Sequence, residues 1–124
     1  MSYKRILLVE DEFLVGLNIQ STLTNAGFEV FGPALNAQAA LKLIAENDFD
    51  AAVLDVNLGG QSSDGIASKL AALDIPFLLL TGYDRENLPT ELANAPLMEK
   101  PFDENELVEM IIRLSTQNDK RSGN

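Results

Sequence analysis

Four places along the chain carry side chains that could share one chemistry. Glu10 and Asp11 stand side by side after an apolar run, Asp55 closes a second run and Thr81 a third, and Lys100 follows a fourth. Three carboxylates brought together repel one another unless a cation joins them, and hard oxygen ligands with room for water suit Mg2+. A carboxylate such as Asp55 can act as a nucleophile that takes up a phosphoryl group as an acyl phosphate, while a metal neutralises charge on the group in transfer. The Thr81 hydroxyl can donate to one phosphoryl oxygen, and the Lys100 ammonium can meet a second. The sequence contains no His and no Cys. That removes thiol nucleophiles, Cys-based zinc sites and disulfides, and any phosphohistidine must come from a partner.

Singly, each of these residues has an ordinary reading. Glu10 and Asp11 read equally as a solvated loop pair, and Asp55 as a turn or helix-capping residue before the turn-rich segment NLGGQSSDG. Thr81–Gly82 reads as a turn and Lys100 as a surface lysine. What raises them above this is where the elements put them.

Five short apolar runs read as strands: RILLV (5–9), FEVF (28–31), AAVLD (51–55), FLLLT (77–81) and APLME (95–99). Four of the five are nearly continuous in apolar residues, as expected when helices cover both faces of a parallel sheet. Between them lie helical stripes: Val15, Ile19, Leu23 and Ala26 with Gly27 as C-cap, then Ala37, Ala40 or Leu41, and Ile44 behind Asn36 as N-cap. Ile66, Leu70 and Leu73 form a third stripe ended by Pro76. Leu107, Ile111 and Leu114 form the last, behind an approximate capping box of Asp103 and Glu106. The fourth connection, DRENLPTELANA, holds Pro89 and few apolar positions at helical spacing, which predicts a short or irregular helix. Five β/α units predict an α/β fold, an open doubly wound five-stranded parallel sheet of flavodoxin-like order 2-1-3-4-5. In that order Glu10, Asp11, Asp55, Thr81 and Lys100 all lie at the C-terminal ends of neighbouring strands, so residues far apart in sequence meet in one cleft.

With 124 residues, 46% of them hydrophobic, the chain is expected to form one domain over 1–116, followed by a polar, disordered tail over 117–124. A net charge of −10, from 19 acidic against 9 basic residues, disfavours binding to nucleic acid. Lys4 and Arg5 precede only four apolar residues, too few for a signal peptide or a membrane span, so a cytoplasmic location with no membrane association is expected.

LLVEDE, LDVNLGG, LLLTGY and MEKPF, in this order, resemble the four signatures of the receiver domains of bacterial two-component response regulators. The resemblance runs from residue 4 to about 116. It implies phosphorylation at Asp55. It also implies Mg2+ held by Glu10, Asp11, Asp55 and the main-chain carbonyl of Asn57, with Thr81 as switch hydroxyl and Lys100 as the lysine that meets the phosphoryl group. It further implies a cis bond between Lys100 and Pro101. The implied partners are a sensor histidine kinase or histidine phosphotransfer protein and a downstream protein target. No effector module follows the last helix, so a stand-alone receiver is expected, signalling through protein contacts and not acting as an enzyme on other substrates.

Two features depart from the usual pattern. Leu97 stands where receivers carry Tyr or Phe, and the fourth helix is irregular; both are similar to an atypical subgroup often called FAT-GUY, of whose Phe-Ala-Thr-Gly run only Thr81–Gly82 is present, followed by Tyr83. Tyr83 is expected to cover the site in place of the missing aromatic. The competing functions are a degenerate receiver that only binds and a phosphatase with an aspartate nucleophile. The latter needs a second aspartate where Asn57 stands. A flavodoxin-type or nucleotide P-loop is excluded by Glu10, Asp11 and Glu12 after the first strand and by the lack of a Gly-Lys-Ser/Thr run.

Overall fold

Continuous apolar runs make the central strands, and their limits follow the sequence closely. In the computed structural model, which describes residues 3–58, 61–62, 64–82, 92 and 95–122, the order is β1 (Arg5–Val9), α1 (Phe13–Asn25), β2 (Glu29–Ala34), α2 (Ala37–Glu46), β3 (Ala51–Asp55), β4 (Asn57–Leu58), β5 (Gln61–Ser62), α3 (Asp64–Ala72), β6 (Phe77–Thr81), β7 (Leu97–Glu99) and α4 (Glu104–Ser122). The main sheet is parallel throughout, in the order β2-β1-β3-β6-β7. Counting its own strands alone, this is 2-1-3-4-5, as the sequence predicts. β4 and β5 form a separate antiparallel ribbon, Asn57 opposite Ser62, which the sequence reading took for turns.

Alternate residues of each strand feed two cores, one on either face. Leu7, Val9, Ala52, Leu54 and Leu79 pack with Ala40 and Ile44 of α2 and Ile66, Ala67 and Leu70 of α3. Ile6, Leu8, Val53, Leu78 and Leu80 pack with Ile19 and Leu23 of α1 and Leu107, Ile111 and Leu114 of α4. Each fully buried Leu or Ile contributes about 1.5–3 kcal/mol relative to exposure, so the sheet is clamped from both sides. That rigidity is what holds the strand ends in place.

The helix ends are set by local chemistry. The Asn36 side chain accepts from the Ala39 N–H at 2.8 Å, and Asp103 accepts from the Glu106 N–H at 3.0 Å, capping α2 and α4. At the end of α1 the Phe28 and Gly27 amides donate to the Leu23 and Thr24 carbonyls, with Gly27 at φ 102, a Schellman closure. The end of α3 repeats the pattern, Ile75 to Leu70 and Asp74 to Ala71, with Asp74 at φ 59 in the glycine position.

Four expectations are corrected. β2 begins and ends later than FEVF, running on through Gly32 and Pro33 because pairing with β1 extends to Ala34. β7 covers only Leu97–Glu99 of APLME. Leu73 is exposed, one residue past the end of α3, where Ala67 joins Ile66 and Leu70 instead; of Ala40 or Leu41 in α2, it is Ala40 that faces inward. α4 continues past residue 116 to Ser122, through part of the segment assigned to a disordered tail. Gln, Asn, Asp, Lys and Arg all propagate a helix, and no strong breaker occurs before Gly123. The predicted irregular helix in the fourth connection falls on residues outside those described, apart from Leu92, which is buried, and Ala95.

Candidate functional site

The parallel sheet brings the C-terminal ends of β1, β3, β6 and β7 to one edge. Asp55, the last residue of β3, is the register partner of Leu80, and Thr81 is the partner of Glu99, so Asp55, Thr81 and Lys100 occupy successive steps across three strands. The Lys100 amide donates to the Thr81 carbonyl at 2.9 Å, which locks the start of the loop after β7 onto the end of β6. The Lys100–Pro101 bond is cis, as the resemblance implied. The bond between Gly32 and Pro33 is also cis, which the sequence reading did not foresee.

Glu10 is fully buried, and Asp55 and Thr81 are nearly so. Among the described residues, Glu10, Asp11 and Asp55 each bring a carboxylate oxygen within 4.8 Å of the others. Lys100 Nζ lies 3.1 Å from Glu10 Oε1, 3.4 Å from Glu10 Oε2 and 3.6 Å from Asp55 Oδ1. It therefore bridges two carboxylates that come from strands separated by 45 residues of sequence. Glu10 Oε2 also accepts from the Glu12 N–H at 3.1 Å. Among the described residues, buried Glu10 Oε1 has no hydrogen-bond partner, and its 3.1 Å approach to Lys100 Nζ is an ion pair.

The electrostatics follow from this crowding. Burial pushes Asp55 up to about 8, aided by a hydrogen bond with Asp11 and by the charge of Glu10, while Lys100 pulls the other way. Burial alone would lower Lys100, but Asp55, Glu10 and Glu12 outweigh it and hold the ammonium above its usual value. Three carboxylates facing one ammonium leave an excess of negative charge. An oxygen-rich cluster with a buried carboxylate oxygen that is ion-paired but lacks a hydrogen bond among the described residues fits a hard divalent cation such as Mg2+.

The structure thus brings Glu10, Asp11, Asp55, Thr81 and Lys100 to one edge. Asn57 follows in β4, two residues beyond Asp55, and Tyr83 lies outside the described residues. Leu97, in the place usual for an aromatic, packs partly buried against the core on the α2 and α3 side. Glu12 is not among the site residues expected from the sequence, yet its carboxylate lies 3.6 Å from Lys100 Nζ. The only signal was its place in the acidic triplet Glu10–Asp11–Glu12.

Comparison with known proteins was made against this geometry. The model of the response regulator receiver domain matches residues 6–112. The transcriptional regulatory protein PdtaR of Mycobacterium tuberculosis is 29% identical over 112 residues, which cover 87% of this chain and 55% of PdtaR. The swarming motility regulation protein RssB of Serratia marcescens is 35% identical over 125 residues, covering 95% of this chain and 54% of RssB. The chain spans about half the length of the curated relatives it matches. The solution structure of SdrG from Sphingomonas melonis Fr1 has a TM-score of 0.79 at 34% identity, covering 92% of this chain and 98% of SdrG.

Proposed function

Because the chain belongs to the response regulator receiver domain family, we propose that Asp55 accepts a phosphoryl group from a partner phosphohistidine and that the acyl phosphate switches protein contacts. The observation that carries this reading is the convergence of three carboxylates and the Lys100 ammonium on one strand edge, with the buried Glu10 carboxylate among them.

Glu10, Asp11 and Asp55 would hold Mg2+, with the main-chain carbonyl of Asn57 as a further ligand. When bound, the ion supplies positive charge that lets Asp55 ionise at neutral pH and that offsets charge on the group in transfer. An Asp55 carboxylate oxygen attacks phosphorus in line. The oxygen–phosphorus bond forms as the nitrogen–phosphorus bond of the partner histidine breaks, and the electron pair returns to the imidazole. Lys100, released from its ion pairs with Glu10 and Asp55, turns to one phosphoryl oxygen, and the Thr81 hydroxyl donates to another. Such a response requires two states that bond the phosphoryl group differently, and the backbone link between Thr81 and Lys100 makes the ends of β6 and β7 move together. Water attack on phosphorus later releases inorganic phosphate and returns the free carboxylate. The donor is a sensor histidine kinase or a histidine phosphotransfer protein, the recipient of the signal is another protein, and the setting is the cytoplasm.

The test is intact mass after incubation with acetyl phosphate and Mg2+. A single phosphoryl adduct is expected in the wild type, lost on chelation of Mg2+ and in Asp55→Ala. An adduct that survives Asp55→Ala would refute the assignment. No adduct together with no binding of Mg2+ and beryllofluoride would point instead to a receiver that binds partners without phosphorylation.

A further inference from the structure

Gly16 sits inside α1, its amide bonded to the Glu12 carbonyl at 2.9 Å. Glycine there costs about 1 kcal/mol relative to alanine on helix propensity alone, so something must oppose a side chain. A Cβ at this position would lie 2.6 Å from Pro33 Cβ, 2.7 Å from Pro33 Cγ and 3.6 Å from Glu10 Cγ. The helix is therefore in contact with the Gly32–Pro33 corner, and the Glu10 side chain passes beside that contact.

The corner itself is a bulge. Leu7 pairs with Phe31, but Val9 pairs with Ala34, so β2 spends three residues where β1 spends two. Gly32 takes up the extra residue at φ 128, where a Cβ would collide with the Leu8 carbonyl oxygen. The consequence is that the Ala34 carbonyl reaches the Glu10 amide, which donates to it at 3.0 Å, beyond the last residue of β1. From α1, one turn after Gly16, the Gln20 side-chain amide donates to the Gly32 carbonyl at 3.2 Å.

We propose that Gly16 and Gln20 are positioning residues for Glu10: together they press and tie the bulged corner of β2 so that the buried Glu10 carboxylate is aimed at the cation cluster. The inference rests on the reading of that cluster as a Mg2+ site. Neither residue approaches the cation; both act through the Gly32–Ala34 backbone and the Glu10 stem. Alanine at position 16 must move Pro33 or the helix, and its Cβ would also lie 3.6 Å from Glu10 Cγ, beside that contact.

The experiment is a double-mutant cycle on Mg2+ affinity, read by titration calorimetry at pH 9 in the full chain, where Asp55 is largely ionised. Gly16→Ala is expected to weaken Mg2+ binding about tenfold in the wild-type background, the usual scale for losing support behind a metal ligand. In a Glu10→Gln background the same change is expected to cost less than about twofold, because its effect runs through Glu10. Gln20→Leu, which leaves the α1–β2 contact intact, is expected to behave in the same way and serves if Gly16→Ala does not fold. An unmoved affinity in both variants overturns the positioning role, and so does an equal loss in the two backgrounds, the signature of general loosening. Failure of the wild type to bind Mg2+ would instead sink the cation-site reading, and this inference with it.

Discussion

Cation binding at the acidic cluster should release a proton over a pH range that the geometry fixes. In the metal-free protein Asp55 titrates at about 8 rather than 3.8, because burial, the hydrogen bond with Asp11 and the charge of Glu10 all favour its protonated form. A divalent cation favours the ionised form, so binding at neutral pH must displace the proton. With that value, binding should release about 0.9 proton per Mg2+ at pH 7, about 0.5 at pH 8 and about 0.1 at pH 9. The apparent affinity should fall about tenfold from pH 9 to pH 7 and about a hundredfold by pH 6, the slope approaching about 1.4 kcal/mol per pH unit only below pH 7. Calorimetric titrations with Mg2+ in buffers of different ionisation enthalpy measure both quantities. A dissociation constant flat within about twofold from pH 6 to pH 9, without proton release, would refute the coupling of burial to cation binding.

The same shift has a consequence for stability. A carboxyl whose folded-state value is raised destabilises the fold as it ionises, so the metal-free protein should lose stability as pH rises from about 4 through about 8. Asp55→Asn should therefore raise the melting temperature at pH 9, by the equivalent of a few kcal/mol, and leave it nearly unchanged at pH 4; a uniform gain across this range would contradict the sign. Lys100→Met leaves the buried Glu10 carboxylate without its ammonium and should cost about 2–4 kcal/mol in urea unfolding, and it should also shift the midpoint of cation binding to higher pH, since Lys100 is what holds Asp55 down. Leu54→Ala empties a fully buried position on the face of β3 that packs with α2 and α3 and should cost about 2–5 kcal/mol without affecting proton release. Asn36→Ala removes the cap of α2 and should cost about 1 kcal/mol.

The sequence shows most plainly what is buried on both sides. RILLV, AAVLD and FLLLT are unbroken apolar runs, and β1, β3 and β6 occupy those residues. β2 is less legible because Gly32 and Pro33 are turn formers in isolation. Only the non-local pairing of Ala34 with Val9 and Glu10 carries the strand through them. The choice between Ala40 and Leu41 stays open in the sequence for a related reason, since a helix stripe cannot tell which of two adjacent apolar residues faces the sheet. Leu73 misleads because α3 ends at Ala72. At the site, the types and strand-end positions of Glu10, Asp11, Asp55, Thr81 and Lys100 are legible. The buried ion pair between Lys100 and Glu10, and the part of Glu12 in it, depend on the loops after β1 and β7 turning toward each other, which no spacing encodes.

The two glycines left unassigned by motif reading bear on how such a site tolerates its own charge. Three carboxylates within 4.8 Å are unfavourable unless something holds them there, and burial, with Asp11 and Glu10 beside it, pushes Asp55 up toward its protonated form. Glu10 is the member most fully removed from water, so it is the one that would gain most by swinging out. It is tied by the Ala34 carbonyl at its amide and by the Glu12 amide and Lys100 at its carboxylate, and its stem passes beside Gly16 of α1. With that exit closed, relief must come from outside, by uptake of a proton or of a cation. Binding of Mg2+ and exchange of charge at Asp55 then act on a site that is already under repulsion, and a small ligand can shift the balance between its states.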